Sequence, residues 1–215
     1  RHTRFHVTGV QTCALPICTP YDIELANRYL PDYCGFVFVP KSRRYVPHDE
    51  AAALKKSLDP RVLAVGVFAG EIVDTVARLL ERGVIDIAQL HGGEDEEYIA
   101  RLRELTGKTI IKAFFVRSES DIELAEKSSA DYVLLDGSRG GEGRAFDWQL
   151  ARGLRRDFFL AGGLTPENVC DAIKLARPYA VDVSSGIERG GAKDARLVEE
   201  FLSAVRGFPY ELPKG

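Results

Sequence analysis

Two stretches late in the chain, "LAGGLTPENV" (160–169) and "VDVSSGIERGGAKD" (181–194), hold the residue types that cradle a phosphate. Gly162 and Gly163 let backbone approach a ligand closely, and Thr165 is placed to cap a following helix. Ser184, Ser185 and Gly186 add hydroxyls and backbone N–H groups, making a bowl beside helix N-termini that suits a phosphate monoester. Either stretch alone could be no more than a tight turn, and only their pairing points to phosphate. In "VLLDGSRGGEGRAFDW" (133–148), Asp136 stands at the tip of an apolar run, where a carboxylate is costly unless used or paired. A turn or cap role is the bland alternative, but no helix is expected before about Asp147. The "GGEG" segment that follows is a flexible loop able to close over a ligand, and its Gly141 is counted with the phosphate-binding glycines. "AQLHG" supplies Gln89 and His91, the latter as readily a structural hydrogen-bonder as a catalyst. "FVPKSRRYV" supplies Lys41, Arg43 and Arg44; an arginine facing the phosphate bowl is a candidate for a substrate carboxylate, because its planar fork matches that geometry.

These residues share one kind of place. Short apolar runs, rich in β-branched and aromatic residues, recur at 34–39, 61–68, 86–90, 108–115, 131–136, 157–162 and 179–185, as expected for strands buried on both faces. Amphipathic stretches alternate with them. "EIVDTVARLLERG" sets Ile72, Val76, Leu79 and Leu80 on one stripe and stops at Gly83, and "GEDEEYIARLRELTG" loads its first turn with acid and stops at Gly107. "TPENVCDAIKLA" and "TPYDIELANRYL" both begin with a Thr-Pro helix start, at Thr165 and Thr19. The second has no obvious strand before it. Adding one at 14–18 gives eight strand–helix units, the count of a single-domain (β/α)8 TIM barrel. An open doubly wound sheet is the alternative, weakened by the lack of a Gly-x-Gly-x-x-Gly turn after the first strand. In a barrel the candidate residues all fall at C-terminal strand ends, where such folds keep their chemistry.

Bulk properties bound the rest. The chain has 215 residues, 45% hydrophobic and 28% charged, with a net charge of −3, which gives no basic footprint for nucleic acid. No apolar run is long enough to span a membrane. Cys13, Cys18, Cys34 and Cys170 have no metal-ligand spacing and suit a reducing, cytoplasmic compartment. The expectation is a cytoplasmic monomer or homodimer without a metal site, whose small-molecule ligand carries a phosphate monoester.

The ordered set "GFVFVPKSRRYV", "VGVF", "QLHGGED", "LLDGSRGGEGRAFDW", "LAGGLTPENV" and "AVDVSSGIERGGAKD" resembles the phosphoribosylanthranilate isomerase family from Thr19 to Arg206. The resemblance implies an Amadori rearrangement in tryptophan biosynthesis, converting N-(5-phosphoribosyl)anthranilate to the 1-deoxyribulose 5-phosphate ketose by general acid–base catalysis, so that the partner is a small phosphosugar and no metal or cofactor is needed. It implies that Asp136 is the acid, that Arg44 holds the anthranilate carboxylate, and that Gln89, His91 and Asp182 sit at the mouth around the substrate. It also implies a cysteine base in strand one, in a Lys-Ile-Cys-Gly-Leu pattern. Here an ungapped alignment on "TPYDIE" puts Leu15 at that position and Pro16 at the glycine. Cys18 could substitute only if strand one slid, since an offset of three residues moves the atom about 10 Å and reverses its face.

"VTGVQTCALPI" (7–17) moreover resembles the translation of a sequencing-adapter oligonucleotide. Together with the opening Arg1, this leads us to expect a non-native leader over 1–13, a non-native first strand over 14–18, a barrel over 14–207 and a tail over 208–215. Two rival functions remain: a non-catalytic phosphosugar-binding barrel, which would explain the missing base, and another phosphosugar isomerase or epimerase.

Overall fold

The computed structural model describes residues 9–137 and 146–209. Eight parallel strands close into a barrel in sequence order: β1 (Gln11–Pro16), β2 (Tyr33–Val37), β3 (Leu63–Phe68), β4 (Ile87–Leu90), β5 (Ile110–Phe115), β6 (Tyr132–Asp136), β7 (Phe158–Leu160) and β8 (Ala180–Val183). The helices outside are α1 (Pro20–Tyr29), α2 (His48–Lys55), α3 (Val73–Glu81), α4 (Glu96–Thr106), α5 (Glu119–Lys127), α6 (Val169–Ala176) and α7 (Ala195–Arg206). A small antiparallel pair, β9 (Glu188–Arg189) and β10 (Ala192–Lys193), projects after β8.

The period of two along each strand decides what reaches the mouth. The lower barrel is filled by Tyr33, Ile87, Ile111 and Phe159, with Tyr132 and Tyr179 stacked at 5.1 Å and Tyr33 edge-on to Phe159 at 5.5 Å. Two and four residues further along the same faces come Gly35 and Val37 after Tyr33, Gln89 and His91 after Ile87, and Asp182 and Ser184 after Ala180, with Asp136 four after Tyr132, all of which line the cleft above. The polar mouth thus stands on an aromatic floor. The outer faces pack under the helices, with Phe36, Phe68, Leu90, Val133 and Val181 buried there.

The local capping signals act as expected at α1, where Thr19 and Asp22 form a capping box and Pro20 opens the helix. Gly107 ends α4 at φ +58°, a left-handed conformation that glycine adopts without strain. Four expectations are corrected. First, β1 covers Gln11–Pro16 rather than 14–18. Thr12 anchors it there, donating backbone N and Oγ1 to the Asp32 carboxylate at 2.8 Å each. Second, Ile72 caps α3 and is 68% exposed, so the buried stripe is Val76, Ala77, Leu79 and Leu80. Third, α6 begins at Val169 and not at Thr165: the Asn168 side chain accepts from Thr165 N and donates to the Gly163 carbonyl, both at 2.8 Å, holding 163–168 as a turn. Fourth, the sixth unit has no α-helix among the described residues. Leu150–Gly153 is a single 3-10 turn, too short to repay helix nucleation. α2, which carries no strong stop signal, was not separately anticipated.

Candidate active site

The cleft at the C-terminal ends of the strands has a volume of about 1410 Å³ and is lined by residues from every strand except β7. Asp136, Gln89, His91, Arg44, Asp182, Ser184 and Ser185 all line it. The candidates scattered from 44 to 185 in sequence are therefore brought to one place.

Asp136 is 7% exposed at the end of β6. His91 approaches it, Nε2 lying 3.6 Å from Oδ2, and the other ring nitrogen, Nδ1, is 3.0 Å from Gln89 Nε2. Gln89 Nε2 can only donate, so Nδ1 accepts and Nε2 carries the proton that faces Asp136. The His91 ring is also held edge-on to Phe115 at 5.4 Å, and its backbone N donates to the Phe68 carbonyl at 2.7 Å. Asp136 is thus an aspartate on a rigid strand end with a polar partner at its side.

Arg44 is gripped by Glu188. Its Nε and Nη2 donate to the two oxygens of Glu188 at 2.8 Å each, a bidentate pair, and Arg43 Nη2 adds a third bond at 3.0 Å. Lys193 Nζ completes the cluster, donating to Glu188 Oε1 at 2.7 Å and to the Ser184 carbonyl at 3.2 Å. Burial alone would raise the Glu188 carboxyl, but the bonds and charges of Arg44 and Lys193 outweigh it and hold it below the usual carboxylate range. Lys193 is lowered by burial against the pull of Glu188. Three cations around one carboxylate leave an anion-attracting excess at this corner of the mouth.

Of the phosphate candidates, Ser184 and Ser185 face the cleft, while Gly162, Gly163 and Gly186 shape the loops behind it. Gly162 and Gly163 adopt φ +87° and +66°. A Cβ on Gly186 would collide with the Leu164 carbonyl, so the loops after β7 and β8 touch backbone to backbone there. Gly141 lies outside the described residues.

Among the described side chains of strand one, none that could act as a base lines the mouth. Its cleft-lining residue is Pro16, which ends the strand where its register with β2 shifts between Cys13 and Pro16, opposite Gly35. A proline is tolerated at such a break because the ladder is already interrupted. Cys18 lies beyond the strand and does not line the cleft; its thiol donates to the Arg44 carbonyl at 3.5 Å. Burial and then Asp22 push the Cys18 thiol up, away from the thiolate a base would need.

Sequence reading missed the buried pair Lys112–Glu94. Lys112 Nζ donates to the Gly92 carbonyl at 2.8 Å and lies 3.4 Å from the Leu90 carbonyl and from Glu94 Oε2. Glu94 in turn accepts from Gly70 N and Gly92 N, at 2.6 and 2.8 Å. The pair clamps the chain on both sides of His91. A lysine inside the apolar run "KTIIKAFF" was the available signal, of the same kind that singled out Asp136. Among the described residues no cluster of His, Cys, Asp and Glu could hold a metal.

Residues 17–204 match the family model of N-(5'-phosphoribosyl)anthranilate (PRA) isomerase. The chain belongs to this family. It is an isomerase family of tryptophan biosynthesis, and its relatives are similar along nearly their whole length. The N-(5'-phosphoribosyl)anthranilate isomerase of Acetivibrio thermocellus is 41% identical over 213 residues, covering 93% of this chain and 96% of the relative. That of Caldanaerobacter subterraneus is 42% identical over 192 residues, covering 86% and 93%. Among solved structures, phosphoribosyl anthranilate isomerase from Thermus thermophilus superposes with a TM-score of 0.83 at 33% identity, covering 92% of this chain and 99% of that one. A second, at TM-score 0.80 and 35% identity with the same coverage, is the isomerase in complex with reduced 1-(o-carboxyphenylamino)-1-deoxyribulose 5-phosphate. The fold expectation, a (β/α)8 barrel, holds.

Proposed function

We propose that the mouth of this barrel binds N-(5-phosphoribosyl)anthranilate and carries the acid half of its Amadori rearrangement, with the base half missing from the chain as it stands. The observation that carries this is Asp136, held at the end of β6 beside His91 in the cleft that also contains Arg44 and Ser184. In this reading Asp136 protonates the furanose ring oxygen. The C1–O bond breaks, the anthranilate nitrogen's lone pair forms the C1=N bond, and a Schiff base results. A base then removes the C2 proton, the electron pair moves into a C1=C2 bond with the nitrogen as sink, and the enolamine tautomerises to the ketose. The two proton transfers need two groups of opposite role.

Arg44 holds the anthranilate carboxylate, Ser184 and Ser185 hold the phosphate on loops shaped by Gly162, Gly163 and Gly186, and Gln89, His91 and Asp182 surround the sugar. No metal or cofactor takes part in these steps. What is missing is the base. Leu15, at the family's cysteine position, cannot accept a proton, nor can Pro16 beside it. The family match begins at Ile17, the last of the adapter-like residues, which supports reading the leader over 1–13 and most of the 14–18 segment as foreign sequence. A cytoplasmic setting agrees with the free thiols of Cys18, Cys34 and Cys170.

Complementation of a tryptophan auxotroph lacking this isomerase tests the reading. Growth is expected with Leu15→Cys/Pro16→Gly and little or none with the chain as given. Failure of both, with folded protein present, would return the non-catalytic phosphosugar barrel to first place.

A further inference from the structure

Glu188 has no part in the proton transfers, yet its carboxylate accepts four hydrogen bonds beside the mouth. Its own side chain is 6% exposed, and it accepts from Arg44 through two nitrogens, from Arg43 and from Lys193. A buried carboxylate costs several kcal/mol to desolvate, and three cationic partners offset that cost. The geometry shows what the arrangement achieves. The bidentate grip uses the Nε and Nη2 edge of Arg44, fixing the guanidinium plane and leaving Nη1, which makes no hydrogen bond among the described residues, for a ligand. Lys193 extends the grip to the Ser184 carbonyl, on the loop after β8 that faces the cleft. One carboxylate therefore ties the β2 loop to the β8 loop, and with them the two ends of a ligand that carries an anion at each end.

We propose that Glu188 is a positioning residue that sets the orientation of Arg44 toward a substrate carboxylate and couples that contact to the phosphate loop through Lys193. The proposal rests on the reading of Arg44 as the carboxylate partner. It sets geometry against charge: the Glu188→Gln substitution removes a negative charge from a cationic corner. If Glu188 served only as a charge, an anionic ligand would bind more tightly after the substitution. If it orients Arg44, the guanidinium is freed to rotate and to pair elsewhere, and the carboxylate contact is lost.

The test needs no turnover, so the missing base does not enter. Calorimetric affinity is measured for reduced 1-(o-carboxyphenylamino)-1-deoxyribulose 5-phosphate and for its anilino counterpart without the carboxylate. The unsubstituted chain is expected to prefer the carboxylated ligand. Glu188→Gln is expected to weaken that ligand about tenfold, about 1.4 kcal/mol, and to change the anilino ligand less than about twofold. Should Glu188→Gln fail to fold, Glu188→Asp, which keeps the charge but shortens the reach, is expected to show the same selective loss at smaller size. Tighter binding of the carboxylated ligand, or equal loss of both ligands by a folded variant, overturns the proposal. An unsubstituted chain that binds neither ligand overturns the proposed function and this inference with it. One that binds both equally overturns the role of Arg44.

Discussion

Replacing Lys112 with methionine removes an ammonium from the centre of the β4–β5 clamp while keeping much of its length and apolar contact. Three contacts go: the Gly92 carbonyl at 2.8 Å, and the Leu90 carbonyl and Glu94 Oε2 at 3.4 Å. One good hydrogen bond to a charged group contributes about 1.5–3 kcal/mol net. Stranding a buried charge costs about 3–5 kcal/mol. Two terms reduce the sum. The ammonium's own desolvation penalty disappears, and Glu94, whose side chain is 2% exposed, keeps its bonds from Gly70 N and Gly92 N. The expected loss for Lys112→Met is therefore about 2–4 kcal/mol. Adding Glu94→Gln removes the stranded charge, so the double variant is expected to lose less than the single one, about 1–2 kcal/mol. Urea unfolding followed by far-UV circular dichroism gives both numbers, provided the m-value is unchanged. A single variant within about 0.5 kcal/mol of the unsubstituted chain, or a double variant worse than the sum of the singles, would refute the clamp.

The other expectations are as follows. Burial lowers the Lys112 ammonium despite the pull of Glu94, so the unfolded chain holds that proton more tightly. From the lowered folded value up to the ordinary 10.5, stability therefore gains as pH rises, a gain that Lys112→Met abolishes in paired unfolding curves. Gly186→Ala forces a Cβ into the Leu164 carbonyl and is expected to cost about 1–3 kcal/mol and to weaken binding of inorganic phosphate, seen by melting with and without phosphate. Cys34, buried and pushed up to about 12, is expected to resist iodoacetamide at pH 8 until the chain unfolds; peptide mapping at a fixed time reads this. In the Leu15→Cys/Pro16→Gly background, Asp136→Asn is expected to lower kcat about 10²–10⁴-fold with folding intact, and a smaller loss would argue against its role as the acid.

How much of this was legible beforehand depends on the physical signal each residue carries. Gln89 was readable because it stands near the end of an apolar run whose alternate residues face the barrel, Ser184 because hydroxyls and glycines cluster at the end of the eighth run, and Asp182 only through the family resemblance. Asp136 also stood out as a charge where apolar residues ought to be. Glu188 and Lys193 were not readable, because a Glu-Arg-Gly-Gly-Ala-Lys turn has no periodicity to say which side chains fold back. The pairing of β9 with β10 sets Lys193 opposite Glu188, where the two side chains bond each other. The start of α6 was misplaced because the Asn168 side chain holds a turn that the Thr-Pro-Glu signal alone reads as helix. The bounds of β1 were set by Thr12 and Asp32, a contact between segments that no local pattern announces. The proposed lack of a base at Leu15 rests on the family resemblance, which alone marks that position, and on the chemistry of a leucine, which cannot take a proton whatever the fold around it.

The central claim is that the barrel retains its acid, its phosphate loops and its carboxylate partner, and lacks only the strand-one base. The most direct test is turnover of N-(5-phosphoribosyl)anthranilate, followed by loss of its fluorescence, by the chain as given and by Leu15→Cys/Pro16→Gly. A rise in kcat of about 10²–10⁴-fold with KM little changed is the predicted result. Equal turnover by the two folded proteins, at any level, would contradict it.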